Sequence, residues 1–393
     1  MVRVLFYFAV LASLISQLPM VLETGLDKYL KLSWVPLTIF IGLLHPNEFI
    51  NKKLLFFYAF IITFGGYIFL LEACSTRTYI TSGGDLYNMV ISLLIFIDCF
   101  IFWKHYHSLI TYKNILILMM VGCLILGIIV YIYYLQFADI TSTTYAYNAK
   151  NSLGQILFVG GVMTLIGINL FKKKYKLFIS TCIIVLIIII MLLKSRATII
   201  CIFFVILYYM MQKRYAMLRK YIIFGSVVGI ALIILSEDIY NTIVINILFA
   251  NRDASSVSSL SSGRSELILK AIRLIDENWL LGVGDKYLDC MPVAILLQYG
   301  IFGLFIVLIF IMVLSYKIIR LPQNNIINIS TFIVYCSFML NSIFEAYPPF
   351  GPGAKCFPLW MLLGFALSSK KAYKYQLGQQ SNNNFKNQNL YSS

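Results

Sequence analysis

Apolar runs of roughly 15 to 25 residues recur from one end of the chain to the other, each long enough or nearly so to cross a hydrocarbon layer. They are continuous rather than alternating, so the pattern predicts helices and not a barrel. Twelve spans follow from it: Val4–Leu22, Leu32–Leu44, Leu54–Glu72, Leu86–Phe102, Ile115–Leu135, Ser152–Phe171, Leu177–Leu193, Ala197–Met211, Tyr221–Ser236, Met291–Ser315, Ile327–Ile343 and Cys356–Leu367. The second and the last are the shortest, and the second also carries Pro36. The expected fold is all-α, a single polytopic membrane domain over residues 1–369 with about 12 transmembrane helices. The opening Met-Val-Arg and its apolar run have the form of a signal peptide, but in so apolar a chain they read as an uncleaved first span. One polar stretch, Glu237 to Cys290, interrupts the pattern, and Lys370 to Ser393, rich in Asn, Gln and Lys, reads as a disordered tail.

Within the polar stretch, Ile268, Ala271, Ile272 and Ile275 recur at three-to-four spacing, while Glu266, Lys270, Arg273 and Glu277 fall on the opposite side. This predicts an amphipathic helix from Arg264 to Trp279 lying across a membrane surface, with Glu266–Lys270 and Arg273–Glu277 as i,i+4 pairs. Gly282 and Gly284 permit a tight turn before the next span.

Composition agrees with a membrane protein, since 60% of residues are hydrophobic and 12% charged. The net charge of +15 would suit nucleic acid, but its distribution argues against that partner. With both termini inside, nineteen of the 31 basic residues fall in inner loops, among them Lys52, Lys104, Lys172 to Lys174 and Lys220. Fourteen of the 16 acids fall outside; Glu48 is inner and Asp98 lies within a span. By the positive-inside rule the charge is a topology signal, and the polar stretch faces outward. The eight cysteines have no metal-ligand spacing and read as small apolar core residues.

No P-loop, Rossmann glycine fingerprint, HExxH or Asp-x-Asp pair is present, and His45, His105 and His107 all fall on the inner side. Candidate chemistry therefore sits at the outer face. Lys194-Ser195-Arg196 joins two short predicted spans and holds two cations at or below the interface, where charge is costly without a partner; snorkelling to lipid phosphates is the alternative, more so for Lys194. Arg252, Arg264, Lys270 and Arg273 lie in the long loop, and Arg264, after Ser-Gly, is outside the i,i+4 pairing. Lys150 and Asn151 open the sixth span, a helix N-terminus suited to an anion, where Asn151 is equally a helix cap. Asp289 and Glu345 stand at span ends as candidate acids.

These fragments resemble the O-antigen polymerase and ligase superfamily of bacterial envelope enzymes: Lys-Asn-Ser-Leu-Gly opening a span, Ser-Arg in a short outer hairpin, then Gly-Arg, Trp279, Gly-Val-Gly and Asp-Lys-Tyr-Leu-Asp before a glycine-bearing span. The resemblance runs from about Tyr147 to about Gly303; the first 140 residues match only in hydropathy. Ligases of the superfamily carry a His-Asn pair ahead of a Gly-x-x-Gly element, and here Asp289-Cys290 precedes Gly300 to Gly303, so the polymerase branch is implied.

That resemblance implies substrates linked to undecaprenyl diphosphate in the bacterial inner membrane, with a chain-length regulator and a flippase as partners and no metal or other cofactor. Arg196 and Arg264, with Lys150, Asn151, Arg252 and Arg273, would bind the diphosphate or glycan, because forked guanidinium contacts suit a diphosphate leaving group. Asp289 or Glu345 would deprotonate the acceptor hydroxyl. A flippase, an O-antigen ligase and another polyprenyl-phosphate glycosyltransferase (using Glu23 and Asp27) are the competing readings. A flippase predicts charges inside spans and two similar halves, whereas only Asp98 lies within a span and no repeat is visible.

Overall fold

The computed structural model describes residues 1–74, 84–137, 150–211, 220, 223–225, 235–241, 244, 264–284, 286, 288–322, 325–344 and 356–368. The described residues are helical, with no strand among them. The helices are α1 (Val2–Ile15), α2 (Pro19–Glu23), α3 (Asp27–Lys31), α4 (Trp34–Leu44), α5 (Lys52–Cys74), α6 (Gly84–Tyr106), α7 (Leu109–Phe137), α8 (Lys150–Gly167), α9 (Lys173–Leu192), α10 (Arg196–Met211), α11 (Glu237–Tyr240), α12 (Arg264–Asn278), α13 (Met291–Ile319), α14 (Ile326–Asn341) and α15 (Phe357–Ser368).

Among the described residues, six of these are long and apolar enough to cross a membrane: Lys52–Cys74, Tyr87–Tyr106, Leu109–Tyr133, Asn151–Leu170, Lys173–Leu192 and Met291–Ile319. Four shorter apolar helices accompany them, α1, α10, α14 and α15. Predicted span Val4–Leu22 is broken because Pro19 cannot donate into an ongoing helix; α1 stops at Ile15, Ser16 Oγ donates to Ser13 O at 2.7 Å, and Pro19 starts α2. At 11 residues α4 is only about 16 Å long. Pro36 is tolerated in its first turn, where helix donors have no partner anyway. In the hairpin around Ser195, α9 has 20 residues and reaches about 30 Å, longer than expected, while α10 with 16 residues remains short. Predicted span Tyr221–Ser236 and the tail lie largely outside the described residues.

The core is built around α6, which α15 meets backbone to backbone. A Cβ on Gly364 would lie 2.7 Å from Cys99 Cβ and 2.8 Å from Phe96 O, so only glycine allows that approach. Rings fill the surrounding space: Phe57 stacks on Phe96 at 3.9 Å, and Phe60 on Phe310 at 3.9 Å. Asp98 is fully buried here and accepts from Thr38 Oγ1 at 2.9 Å. Cys99, Cys123, Cys182, Cys201 and Cys356 are buried.

One end of the bundle carries a titratable cluster. Lys104 Nζ donates to both Glu48 oxygens at 2.6 Å, His105 Nε2 lies 3.2 Å from Glu48 Oε1, and His45 stacks on His105 at 3.9 Å. Burial opposes ionisation of Glu48, but Lys104, Asn51 and His105 together hold its carboxyl below the usual range. Burial, and then the neighbouring His105, pulls His45 below its ordinary value. At the same end Lys53 Nζ donates to Leu367 O at 2.6 Å.

Candidate functional site

At the opposite end, two of the fragments singled out in the sequence meet. Ser195 Oγ donates to Asn151 Oδ1 at 3.3 Å and shares a 2.8 Å hydrogen bond with Thr198 Oγ1. Gly154 makes room for this: a Cβ there would come within 2.8 Å of Ser195 Oγ and 2.9 Å of Thr198 Oγ1. The Lys-Asn-Ser-Leu-Gly start of α8 is thus seated on the α9–α10 turn. The turn itself is tight, with Lys194 in the left-handed region at φ 54 and Arg196 N donating to Lys194 O at 3.1 Å. Lys194 is 2% exposed, so it is packed inside rather than snorkelling, and Arg196 is half-buried.

A third helix completes the cluster. Cys201 Sγ contacts Ser337 O at 3.3 Å, fixing the antiparallel register of α10 against α14. Arg196 is five residues before that contact and Ser342 five after it, each about 7.5 Å along its helix axis, so the two stand at one level. Ser342 O then accepts from Met291 N at 2.9 Å, which sets the start of α13, and half-buried Asp289 just before it, at the same end. The N-termini of α8, α10 and α13 gather here, and their helix dipoles add partial positive charge to that of Lys194 and Arg196.

The amphipathic helix forms as expected as α12, and Ile268, Ala271, Leu274 and Ile275 pack against Ala294 and Leu297 of α13. Ile272, expected on that apolar side, is instead exposed. Neither Glu266–Lys270 nor Arg273–Glu277 closes as an ion pair among the described residues; these side chains are exposed, and solvent screens them.

The following glycines do more than turn the chain. Segment 279–284 runs beside residues 297–301 of α13 with Val283 N donating to Leu297 O at 2.7 Å, Gly284 N to Gln298 O at 3.2 Å and Ile301 N to Trp279 O at 2.9 Å. Gly300 breaks α13 there, with φ 66 and ψ −169, a conformation open essentially to glycine alone. The Gly-Val-Gly and Gly-x-x-Gly fragments are therefore two sides of one joint.

The other expected site residues are placed as follows. Lys150 is the first residue of α8, beside Asn151, and Arg264 is the first residue of α12. Arg273 is exposed on α12, and no contact among the described residues carries it to the α8–α10 turn. Arg252 and Glu345 lie outside the described residues.

Three polar side chains escaped the sequence reading. Gln155, one turn into α8 from Asn151, is 2% exposed with neither amide atom partnered among the described residues. Ser337 Oγ and Asn341 Oδ1 on α14 are likewise buried and unpartnered. Gln155 was hidden as one polar position in an apolar run; its place four residues after Asn151, on the same side of α8, was the available signal.

In comparison with known proteins, the sequence matches no family model and no curated protein.

Proposed function

We propose that this protein is a polysaccharide polymerase of the bacterial envelope, transferring a growing glycan from undecaprenyl diphosphate onto a lipid-linked repeat unit. The observation that carries the reading is the convergence of Asn151, Ser195 and Arg196 with the N-termini of α8, α10 and α13 at one end of an apolar bundle. Such an end suits a diphosphate held at a membrane interface.

In the proposed step, the acceptor hydroxyl oxygen bonds to the anomeric carbon of the donor glycan as the bond from that carbon to the diphosphate oxygen breaks. The electron pair leaves with the diphosphate. Arg196 and Arg264 neutralise the developing charge with forked hydrogen bonds, assisted by Lys150, Asn151 and Arg252. Asp289, with Glu345 as the alternative, accepts the hydroxyl proton. Arg273, solvated on α12, serves the glycan rather than the diphosphate. The reactive face is the outer one, as the basic-residue distribution requires.

The test is complementation. In bacteria lacking their own repeat-unit polymerase but making the matching repeat, the protein should restore a ladder of polymer lengths. Arg196→Ala and Arg264→Ala should each abolish the ladder at unchanged membrane abundance, and Arg264→Lys should restore little. Normal ladders from both alanine variants would defeat the mechanism.

A further inference from the structure

The apolar side of α12 is occupied by α13, so it is not the membrane-facing side that its periodicity suggests. The three residues that follow the helix are different. Trp279, Leu280 and Leu281 are 54%, 42% and 47% exposed, and no charge occurs from Trp279 to Gly284. On α12 the exposed Leu267, Leu269 and Ile272 are instead interleaved with Glu266, Lys270 and Arg273.

Two distances place this triplet. α13 closes on Lys317 and Arg320, and Gly300 is twenty residues before Arg320, about 30 Å along a helix and so one hydrocarbon thickness away. α5 starts on Lys52 at the same basic end, where Lys317 lies over the Phe56 ring. Its Tyr67, fifteen residues on and about 22 Å up, donates to Tyr299 O at 2.8 Å. α13 carries the chain no further out. Its 29 residues would reach about 43 Å as a straight rod, yet Met291 N meets Ser342 O at the end of α14, whose 16 residues reach about 24 Å. The break at Gly300 therefore turns Met291–Tyr299 back toward the bundle. Trp279, whose carbonyl accepts from Ile301 N, is left with its neighbours at the far edge of the layer. From there Ile301, Phe302 and Phe305 continue the exposed apolar surface along α13.

We infer that Trp279, Leu280 and Leu281 insert into the bilayer at the boundary between acyl chains and headgroups, and anchor α12 to it. The occupant is lipid because the patch lies at a hydrocarbon edge and continues the exposed apolar face of a helix long enough to span. An indole suits that depth, since its ring is apolar and its N–H can reach hydrated headgroups. The anchor stands apart from the polymerase reading, which neither requires it nor fails with it.

Fluorescence supplies the test, because Trp34, Trp103 and Trp360 are buried and Trp279 is the exposed one of the chain's four tryptophans. The full chain is placed in liposomes, and the emission of Trp279→Phe is subtracted from that of the unaltered protein. The Trp279 component should lie to the blue of tryptophan in water and resist iodide supplied on both sides. It should lose more intensity to lipids brominated near the headgroup end of their chains than to lipids brominated near the chain ends. Leu281→Glu should lower that quenching by brominated lipid and raise quenching by iodide, because a carboxylate is costly in hydrocarbon. A component quenched by iodide and indifferent to brominated lipid would overturn the inference, and relief of that iodide quenching by a soluble oligosaccharide would assign the ring to glycan instead. Shielding from both quenchers would also overturn it, by showing that another protein surface covers the patch.

Discussion

Gly300→Ala should undo the joint that ties the α12 segment to α13. Its backbone conformation, φ 66 and ψ −169, costs a residue with a side chain about 1–3 kcal/mol. The added Cβ would also lie 2.1 Å from Leu280 O and 2.4 Å from Leu280 C, and neither is the end of a flexible side chain. Relief requires the two segments to part, which exposes the three backbone hydrogen bonds between 279–284 and 297–301, each worth about 1 kcal/mol. The sum is a loss of roughly 4–6 kcal/mol for this joint. Two readouts check it in the full chain: the thermal unfolding midpoint, and maleimide labelling of half-buried Cys290 in a Cys74→Ser background that removes the exposed thiol. Gly300→Ala should lower the midpoint and speed labelling of Cys290. Gly66→Ala, where nothing lies within 4 Å of the new Cβ, should leave labelling unchanged and should not lower the midpoint, since alanine favours the helix over glycine. An unchanged midpoint and unchanged labelling in Gly300→Ala would refute the joint.

Three other outcomes are expected. Gln155→Leu removes two buried polar atoms that have no partner among the described residues and should raise stability by about 1–2 kcal/mol; a lower unfolding midpoint would show that the amide is satisfied, and a higher midpoint with lost polymerisation would mark Gln155 as touching substrate. Glu48 is held below the usual carboxylate range, so its stabilisation is complete above that range and fades as pH falls through its lowered value; His45, also lowered, favours the neutral ring and likewise loses stability on acidification. The midpoint should therefore drop from pH 7 toward pH values of about 3–4, and Glu48→Gln should flatten the lower part of that profile; an identical profile in the variant would exclude Glu48 as a source. Asp289→Asn keeps the shape of the side chain, so it should remove polymerisation while leaving binding of the lipid-linked repeat intact; retained polymer there with loss in Glu345→Gln would transfer the base to Glu345.

How much of this was legible in the sequence differs from element to element. The long apolar helices were readable from their unbroken hydropathy and α12 from its local periodicity. The break of the first span was also readable, since Pro19 stands in the sequence, but continuous hydropathy outweighed one residue in the expected boundary. The joint at Gly300 was not, because backbone hydrogen bonds between 279–284 and 297–301 leave no side-chain pattern and only the glycines hint at them. Within the site, Asn151, Arg196 and Asp289 were each singled out by charge or position at a span end. That α8 and α10 touch through Ser195, and that Ser342 sets the start of α13, depends on helix packing that hydropathy does not encode. Lys194 shows the same limit: composition placed a cation at an interface, and only packing reveals that the turn buries it.

Purified protein in liposomes, supplied with a repeat unit linked to undecaprenyl diphosphate, tests the central claim most directly. One undecaprenyl diphosphate should be released for each glycosidic bond formed, with both products absent in Arg196→Ala. Movement of the lipid-linked repeat between leaflets without bond formation or undecaprenyl diphosphate release would contradict it.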